Sequence, residues 1–202
     1  MTATFDPGYW RTAQLRRLGM RVGAGVMVAK NCTIIGAGHG WSNIEIGDNV
    51  RIDGFTTIAA ADGFLKIGSH IHVGGYAFLQ CSGGVTLSDF CNLSQRVSIY
   101  SKSDDYTGAF LTNPTVAKEF LGLKVAPVVL GRHVIIGSGS VVLPGCSIGE
   151  GSALGALSLV TRKLAPWGIY AGAPARLIRP RSRDLLEKEA EFLRQVNSVG
   201  EP

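Results

Sequence analysis

Asp104, Asp105 and Tyr106 stand together in a chain of 202 residues that has no histidine between positions 73 and 132. A carboxylate can orient an amine and take up the proton it releases, but it is a poor base toward an alcohol, whose pKa is near that of water. The stretch 101–127 that carries these acids also holds Phe110, Leu111, Phe120 and Leu121, side chains able to anchor it on a neighbouring surface. A second group is basic. Arg162, Lys163, Arg176, Arg179, Arg181 and Arg183 cluster late in the chain, as a solvated surface or as a site for a phosphate-bearing ligand. The cysteines, Cys32, Cys81, Cys91 and Cys146, show no paired or metal-type spacing, which points to reduced structural thiols in a cytosolic protein.

Such groups need a scaffold, and its period is legible. Leu130, Ile136, Val142, Ile148, Leu154 and Val160 fall six residues apart. Strands repeat every two residues and helices every 3.6, so a sustained period of six with turn formers between predicts short strands wound into a parallel β-helix. The same slot recurs upstream at Val22, Val28, Ile34, Ile46, Ile52, Ile58, Ile67, Val73, Leu79, Leu87, Leu93 and Ile99. Four places on, a second inward slot holds mostly small or β-branched residues, among them Val26, Val50, Thr56, Ala77, Val97, Ser140, Ser152 and three of the cysteines. Eighteen repeats at three per coil make six coils, a prism roughly 29 Å tall.

A net charge of +5 without basic and aromatic residues interleaved along a face argues against nucleic acid as a partner. The N-terminal residues Phe5, Tyr9 and Trp10 lie among polar ones, so neither a signal peptide nor a membrane span is expected. Where the period breaks, function is expected. Asp6 and Pro7 suggest a short helix over 7–18, part of a cap over 1–21. Short insertions near 36–42, 60–65 and 80–84 carry His39, Trp41, Asp62, Phe64, Gln80 and Ser82. The 101–127 excursion interrupts a β-helix spanning 22–165, and 166–202 forms an extension. There Ser182 is the expected N-cap of a closing helix whose stripe is Leu185, Leu186, Leu193 and Val196, with its charged residues in solvent.

The hexapeptide period, the run IIGSGSVVLPGCSIGEGSALGALSLVTRKLAPWGIYAGAPARLI, and LSQRVSIYSKSDDYTG ahead of it carry a resemblance over residues 22–180. The chain resembles the hexapeptide-repeat acetyltransferases, all-β enzymes with a left-handed parallel β-helix, particularly the galactoside and maltose acetyltransferase branch. Within that family it looks most like enzymes that acetylate sugars for surface polysaccharides, including N-acetyltransferases of nucleotide-linked amino sugars such as dTDP-4-amino-4,6-dideoxyglucose. The resemblance implies a cytoplasmic homotrimer with acetyl-CoA in the groove between subunits and the loop of one subunit reaching its neighbour's site. It places the Ser138 N–H at the thioester, Ala156 on the pantetheine arm, Thr161 and Arg162, with Lys163 beside them, at the adjoining Thr-Lys position, and Arg176 and Arg179 near the nucleotide of the cofactor. Tyr76, Gln80 and Tyr106 are candidate sugar contacts.

One position departs from the family. Its usual base is a histidine at the start of the long loop, and here Asp104 and Asp105 stand there. An amine already carries a nucleophilic lone pair, so this exchange predicts an amino-sugar acceptor, with a sugar hydroxyl as the alternative. His72 and His39 are reserve candidates for the base, while His70 and His133 are expected to point outward. A γ-type carbonic anhydrase shares the prism and binds zinc with three histidines, yet would need neither the acidic loop nor the basic tail. A structural solenoid would have no reason to interrupt its repeat with Asp-Asp-Tyr.

Overall fold

The computed structural model describes residues 8–36 and 41–199. Its body is a parallel β-helix of six coils, each contributing a short strand to three faces. Face one stacks Arg21–Val22, Ile44–Ile46, Leu65–Ile67, Val85–Leu87, Val128–Leu130 and Ser147–Ile148. Face two stacks Met27–Ala29, Arg51–Ile52, His72–Val73, Asn92–Leu93, Ile135–Ile136 and Ala153–Leu154. Face three stacks Thr33–Ile35, Thr57–Ala59, Phe78–Gln80, Ser98–Tyr100, Val141–Val142 and Leu159–Val160.

The register places every predicted aliphatic slot on the slot of the next coil. Val22 pairs with Ile46 and that with Ile67, Val28 with Ile52 and that with Val73, and Leu79 with both Ile58 and Ile99. These side chains are buried, apart from half-buried Ile34 on the first coil. Each fully buried Leu or Ile contributes about 1.5–3 kcal/mol relative to exposure. The second inward slot is buried too, from Val26 to Ser158, with Cys32 half-buried. Ser140 and Ser152 are accommodated because their hydroxyls donate to the carbonyls of Gly155 and Ala165. Burial pushes the Cys81 and Cys91 thiols up to about 12, consistent with structural thiols.

Both ends of the stack are covered. Tyr9–Arg11 is a strand, antiparallel to Met27–Ala29, and only Thr12–Arg17 is helical (α1). This corrects the expected helix over 7–18. The open edge of the first coil offers backbone groups that an extended segment satisfies and a helix would not. Asp6, Pro7 and His39 lie outside the described residues. At the far end Gly168–Ala171 adds to face two and Arg176–Pro180 returns antiparallel to it.

Helix α2, Leu185–Val199, lies on the corner between faces one and two. His70, Phe90 and His133 stack there, with ring centroids 4.9 and 5.1 Å apart, and Phe192 meets His70 edge-on at 5.1 Å. Glu189, expected in solvent, is instead nearly buried and bonds Arg132 and His133, the latter at 2.8 Å. His133 is therefore not the outward surface histidine the repeat suggested: it leaves the prism but is roofed by α2. Arg181 is likewise diverted from ligand duty, donating to the carbonyls of His133 at 2.9 Å and Gly151 at 3.0 Å. Arg183 lies over the Trp167 ring. Among the described residues, no helix is long and apolar enough to cross a membrane.

Candidate active site

Between faces two and three each coil turns through a residue with positive φ: Phe55, Tyr76, Arg96, Gly139 and Leu157 on coils two to six. The residues before them are Gly54, Gly75, Gln95, Ser138 and Ala156. The coils approach so closely here that a Cβ on Gly137 would sit 2.4 Å from the Ala156 nitrogen. The carbonyls of Gln95 and Ser138 accept from Gly139 and Leu157 at 3.1 and 2.9 Å. The Ser138 and Ala156 N–H groups meet no protein acceptor among the described residues. Ser138 Oγ lies 3.5 Å from Gln95 Oε1. Above, Gly172 N–H donates to Ser158 Oγ and Ala175 N–H to the Leu159 carbonyl, which fixes the turn before exposed Arg176 over this same corner. Free amides in a column can pair with an amide chain, and one can stabilise an oxyanion.

The opposite edge of face three carries the interruptions. The insertions after Ile35, Ala59 and Gln80, and the arm after Tyr100, all leave from the corner between faces three and one on successive coils. They are laced together: Asn43 Nδ2 donates to the Gly63 carbonyl at 2.6 Å, Ser101 Oγ to the Gln80 carbonyl at 2.7 Å, and Gly83 N–H to Ser101 Oγ at 2.8 Å. Lys102–Ser103 pairs antiparallel with Lys124–Val125 at the base of the arm. Further out, Tyr106, Phe110, Leu111 and Phe120 are exposed, Tyr106 to 93%. Of the four side chains expected to anchor the arm, Leu121 is half-buried, while Phe110, Leu111 and Phe120 remain exposed.

The two acids of the arm differ sharply. Asp105 accepts from the backbone of Thr107, Gly108 and Ala109 at 3.1, 2.9 and 3.1 Å and from the Thr107 hydroxyl, closing a turn. Desolvation works to raise its carboxyl, but these hydrogen bonds together hold it below the usual carboxylate range. The Asp104 carboxylate accepts no hydrogen bond among the described residues, and only its carbonyl is engaged, by Ser103 Oγ. Asp104 is therefore the acid left free for a ligand.

The predicted residues thus divide into groups. Tyr76, Ser138, Ala156 and Arg176 share the corner between faces two and three. Gln80, Asp104, Asp105 and Tyr106 belong to the opposite edge, where Thr161, Arg162 and Lys163 follow the last strand of face three, all three exposed. Arg179 lies in Arg176–Pro180, opposite Ile169. Three residues of the first corner went unnoticed in the repeat: Phe55, Gln95 and Arg96. Their signal was positional, since each follows an aliphatic slot of face two by two or three residues.

His72, the reserve base, stands on face two with both ring nitrogens engaged: Nε2 lies 2.8 Å from Asp53 Oδ2 and Nδ1 3.1 Å from Asn92 Oδ1. Arg51 and Tyr9 donate to the other Asp53 oxygen at 2.6 and 3.2 Å. Both ring nitrogens thus have protein partners on face two, within a network that also holds Asp53, Arg51 and Asn92. Burial works to raise the Asp53 carboxyl, but its hydrogen bonds to His72 and Arg51, and their charges, hold it below its ordinary value. A depressed carboxyl stabilises the fold above the unfolded pKa and loses that contribution as pH falls through the folded one. Asp53→Asn should cost about 1 kcal/mol at pH 7, discounted for solvent screening, and the gap from wild type should close below about pH 4. Thermal melts between pH 3 and 8 measure it. A pH-independent gap would contradict the assignment. No group of histidine, cysteine and acidic residues arranged to hold a metal occurs among the described residues.

The bacterial transferase hexapeptide family (six repeats) matches residues 127–162. A dTDP-4-amino-4,6-dideoxy-D-glucose acyltransferase of Escherichia coli is 40% identical over 185 residues, covering 91% of this chain and 94% of that protein. The solved structure of AntD, an N-acyltransferase from Bacillus cereus in complex with dTDP and 3-hydroxybutyryl-CoA, superposes with a TM-score of 0.88 at 36% identity, over 96% of this chain and 100% of that one. A maltose O-acetyltransferase from Clostridium difficile 630, at 22% identity and a TM-score of 0.55 over 85% of this chain and 74% of that one, shares the fold. The chain belongs to the hexapeptide-repeat acyltransferases, with the left-handed parallel β-helix of that family. It is an acyltransferase.

Proposed function

We propose that the protein transfers the acyl group of an acyl-CoA, acetyl-CoA in the simplest case, to the amino group of a dTDP-linked amino deoxy sugar. The observation that carries this reading is the free carboxylate of Asp104 where a histidine would serve an alcohol. The amino lone pair attacks the thioester carbonyl, the C–N bond forms, and the C–S bond breaks to release CoA thiolate. Asp104 orients the nitrogen and takes its proton, while the Ser138 N–H stabilises the oxyanion. Ala156, Thr161, Arg162, Lys163, Arg176 and Arg179 hold the cofactor through amides and cations. The E. coli relative and AntD support the acceptor, since AntD was also solved with dTDP-4-amino-4,6-dideoxyglucose and coenzyme A. The AntD variants solved replace a serine and an aspartate ten positions apart. Ser94 and Asp104 of this chain have the same spacing, and Ser94 precedes Gln95 at the amide corner.

The working unit in this reading is a homotrimer. The amide corner and Asp104 lie on opposite edges of face three, so one prism holds half of each of two sites. The outward residues of that face, from Thr33 and Ile35 through Thr57, Phe78, Gln80, Ser98 and Tyr100 to Val141 and Leu159, include no charge. Face one presents Arg21, Glu45 and Lys66, and face two presents Arg51 and His72. Three parallel copies with the uncharged face turned inward bring the arm of each to the amide corner of the next at the same height. A cytoplasmic setting and a product destined for surface polysaccharide complete the proposal, with 22–165 as scaffold, 101–127 as catalytic arm and 1–21 and 166–202 as the covering ends. The test is a paired assay of purified protein, with acetyl-CoA and 3-hydroxybutyryl-CoA as donors, on dTDP-4-amino-4,6-dideoxyglucose and its 4-hydroxyl counterpart. Turnover is expected with the amine alone, and turnover confined to the hydroxyl sugar would overturn the reading.

A further inference from the structure

The strand Arg176–Pro180 is the outermost of its sheet. Gly168–Ala171 pairs with one of its edges, no described strand pairs with the other, and all five of its residues are exposed. With one neighbour and no buried side chain, such a strand is held in place mainly through its ends. At its start, the N–H of buried Ala175 donates to the Leu159 carbonyl at 2.8 Å. At its finish stands Arg181. Its N–H donates to the Trp167 carbonyl at 2.8 Å, and its Nη1 reaches three carbonyls of coils five and six: His133 at 2.9 Å, Gly151 at 3.0 Å and Ser152 at 3.3 Å. Arg181 joins no ion pair among the described residues. A guanidinium drawn partly out of water to meet carbonyls alone fixes backbone, not charge. The helix that follows is fastened in the same manner, at points. Glu189 holds Arg132 and His133, and Phe192 meets His70 and Phe90 edge-on at 5.1 and 6.2 Å. No described residue of α2 is fully buried, and a cleft of about 360 Å³ lies beneath it, lined in part by Asn92, Ile135 and Leu185. α2 therefore adds little to the core, and its contacts serve to tie down the chain that leads into it.

Resting on the reading that Arg176 and Arg179 hold the nucleotide end of acyl-CoA, we propose that Arg181 and α2 form a clasp that positions this strand, so that Arg181 and Glu189 set the affinity for acyl-CoA without touching it. The two cofactor arginines depend on the clasp unequally. Arg176 follows Ala175, whose bond to Leu159 is independent of the tail. Arg179 lies two residues before Arg181 and beyond the break in register that leaves Ile178 unpaired between Leu177 and Arg179. A bulge weakens the ladder locally, so from Ile178 onward the strand takes its place from Arg181. Charge-assisted hydrogen bonds are short and directional, and a shift of about 1 Å in the strand is enough to lose one. The thioester lies at the far end of the cofactor, on the amide column, out of reach of the clasp. Arg181 and Glu189 are positioning residues.

Calorimetric titration with CoA, which needs no acceptor, is the first measurement. Arg181→Met should weaken CoA about tenfold, the scale of one lost charged hydrogen bond, and Glu189→Ala should act in the same direction by about threefold. Arg179→Gln should cost about tenfold alone but less than twofold in the Arg181→Met background, because an arginine already displaced has no contact left to lose. Kinetics then compare acetyl-CoA with S-acetyl pantetheine, which keeps the thioester arm and lacks the nucleotide. In Arg181→Met, KM for acetyl-CoA should rise about tenfold with kcat within about twofold of wild type, and kcat/KM for acetyl pantetheine should not change. Equal losses with both donors, or independent effects of the Arg179 and Arg181 substitutions, would make Arg181 merely structural and overturn the clasp. Wild-type affinity for CoA in Arg181→Met would overturn it as well. Should Arg181→Met not fold, Glu189→Ala decides by the same comparison of donors. Wild-type affinity for CoA in both Arg176→Gln and Arg179→Gln would instead overturn the reading of the strand as a cofactor contact, and this inference with it.

Discussion

Replacing Asp104 with asparagine should lower kcat for amine acylation by about 10³, within the 10²–10⁴ range of a general base, with both KM values nearly unchanged. The substitution keeps size and polarity and removes only the ability to take the proton. Asp105→Asn is the matched control. Its carboxylate closes the turn at Thr107–Ala109, so its loss should loosen the arm and leave most of kcat in place. Steady-state kinetics of both variants, with dTDP binding measured alongside, separate the roles. Full kcat in Asp104→Asn across the accessible pH range would remove the carboxylate from the mechanism.

Gly137→Val should be the second severe change, and by another route. A Cβ at this position meets backbone, the Ala156 nitrogen at 2.4 Å and the Gly155 carbonyl carbon at 2.8 Å, so no side chain can give way. Coils five and six must separate, at a cost of about 3 kcal/mol for overpacking. The same separation moves the Ser138 and Ala156 amides apart. A misplacement near 1 Å costs about 100-fold in rate. The expected signature is a lowered Tm together with kcat/KM for acyl-CoA reduced about 100-fold. An unaltered kcat/KM for acyl-CoA in folded protein would exclude the amide column from the acyl site.

Much of the scaffold was legible because a period of six is a purely local signal. Every slot from Val22 to Val160 takes its place on one of three faces, and even the insertions were readable by phase, since those before coil five follow the third slot of a coil, after Ile34, Ile58, Leu79 and Ile99. Contacts between distant segments were not legible. Glu189 looked like part of a solvated helix face because nothing near it in sequence foretells Arg132 and His133. Asp104 and Asp105 were equivalent as letters, and only the turn at Thr107 distinguishes them. Tyr9–Arg11 shows the same limit: an open strand edge decided its conformation, and that edge belongs to residues 27–29.

The stacked register has one more consequence. Heights along the prism come in whole steps of about 4.8 Å, so the distance between two ligands lying along a corner cannot be adjusted by fractions. Inserting or deleting a complete coil would leave each binding surface intact and alter only their separation. The scaffold therefore fixes the spacing of whatever lies along a corner, and a change in coil count would alter reach rather than chemistry.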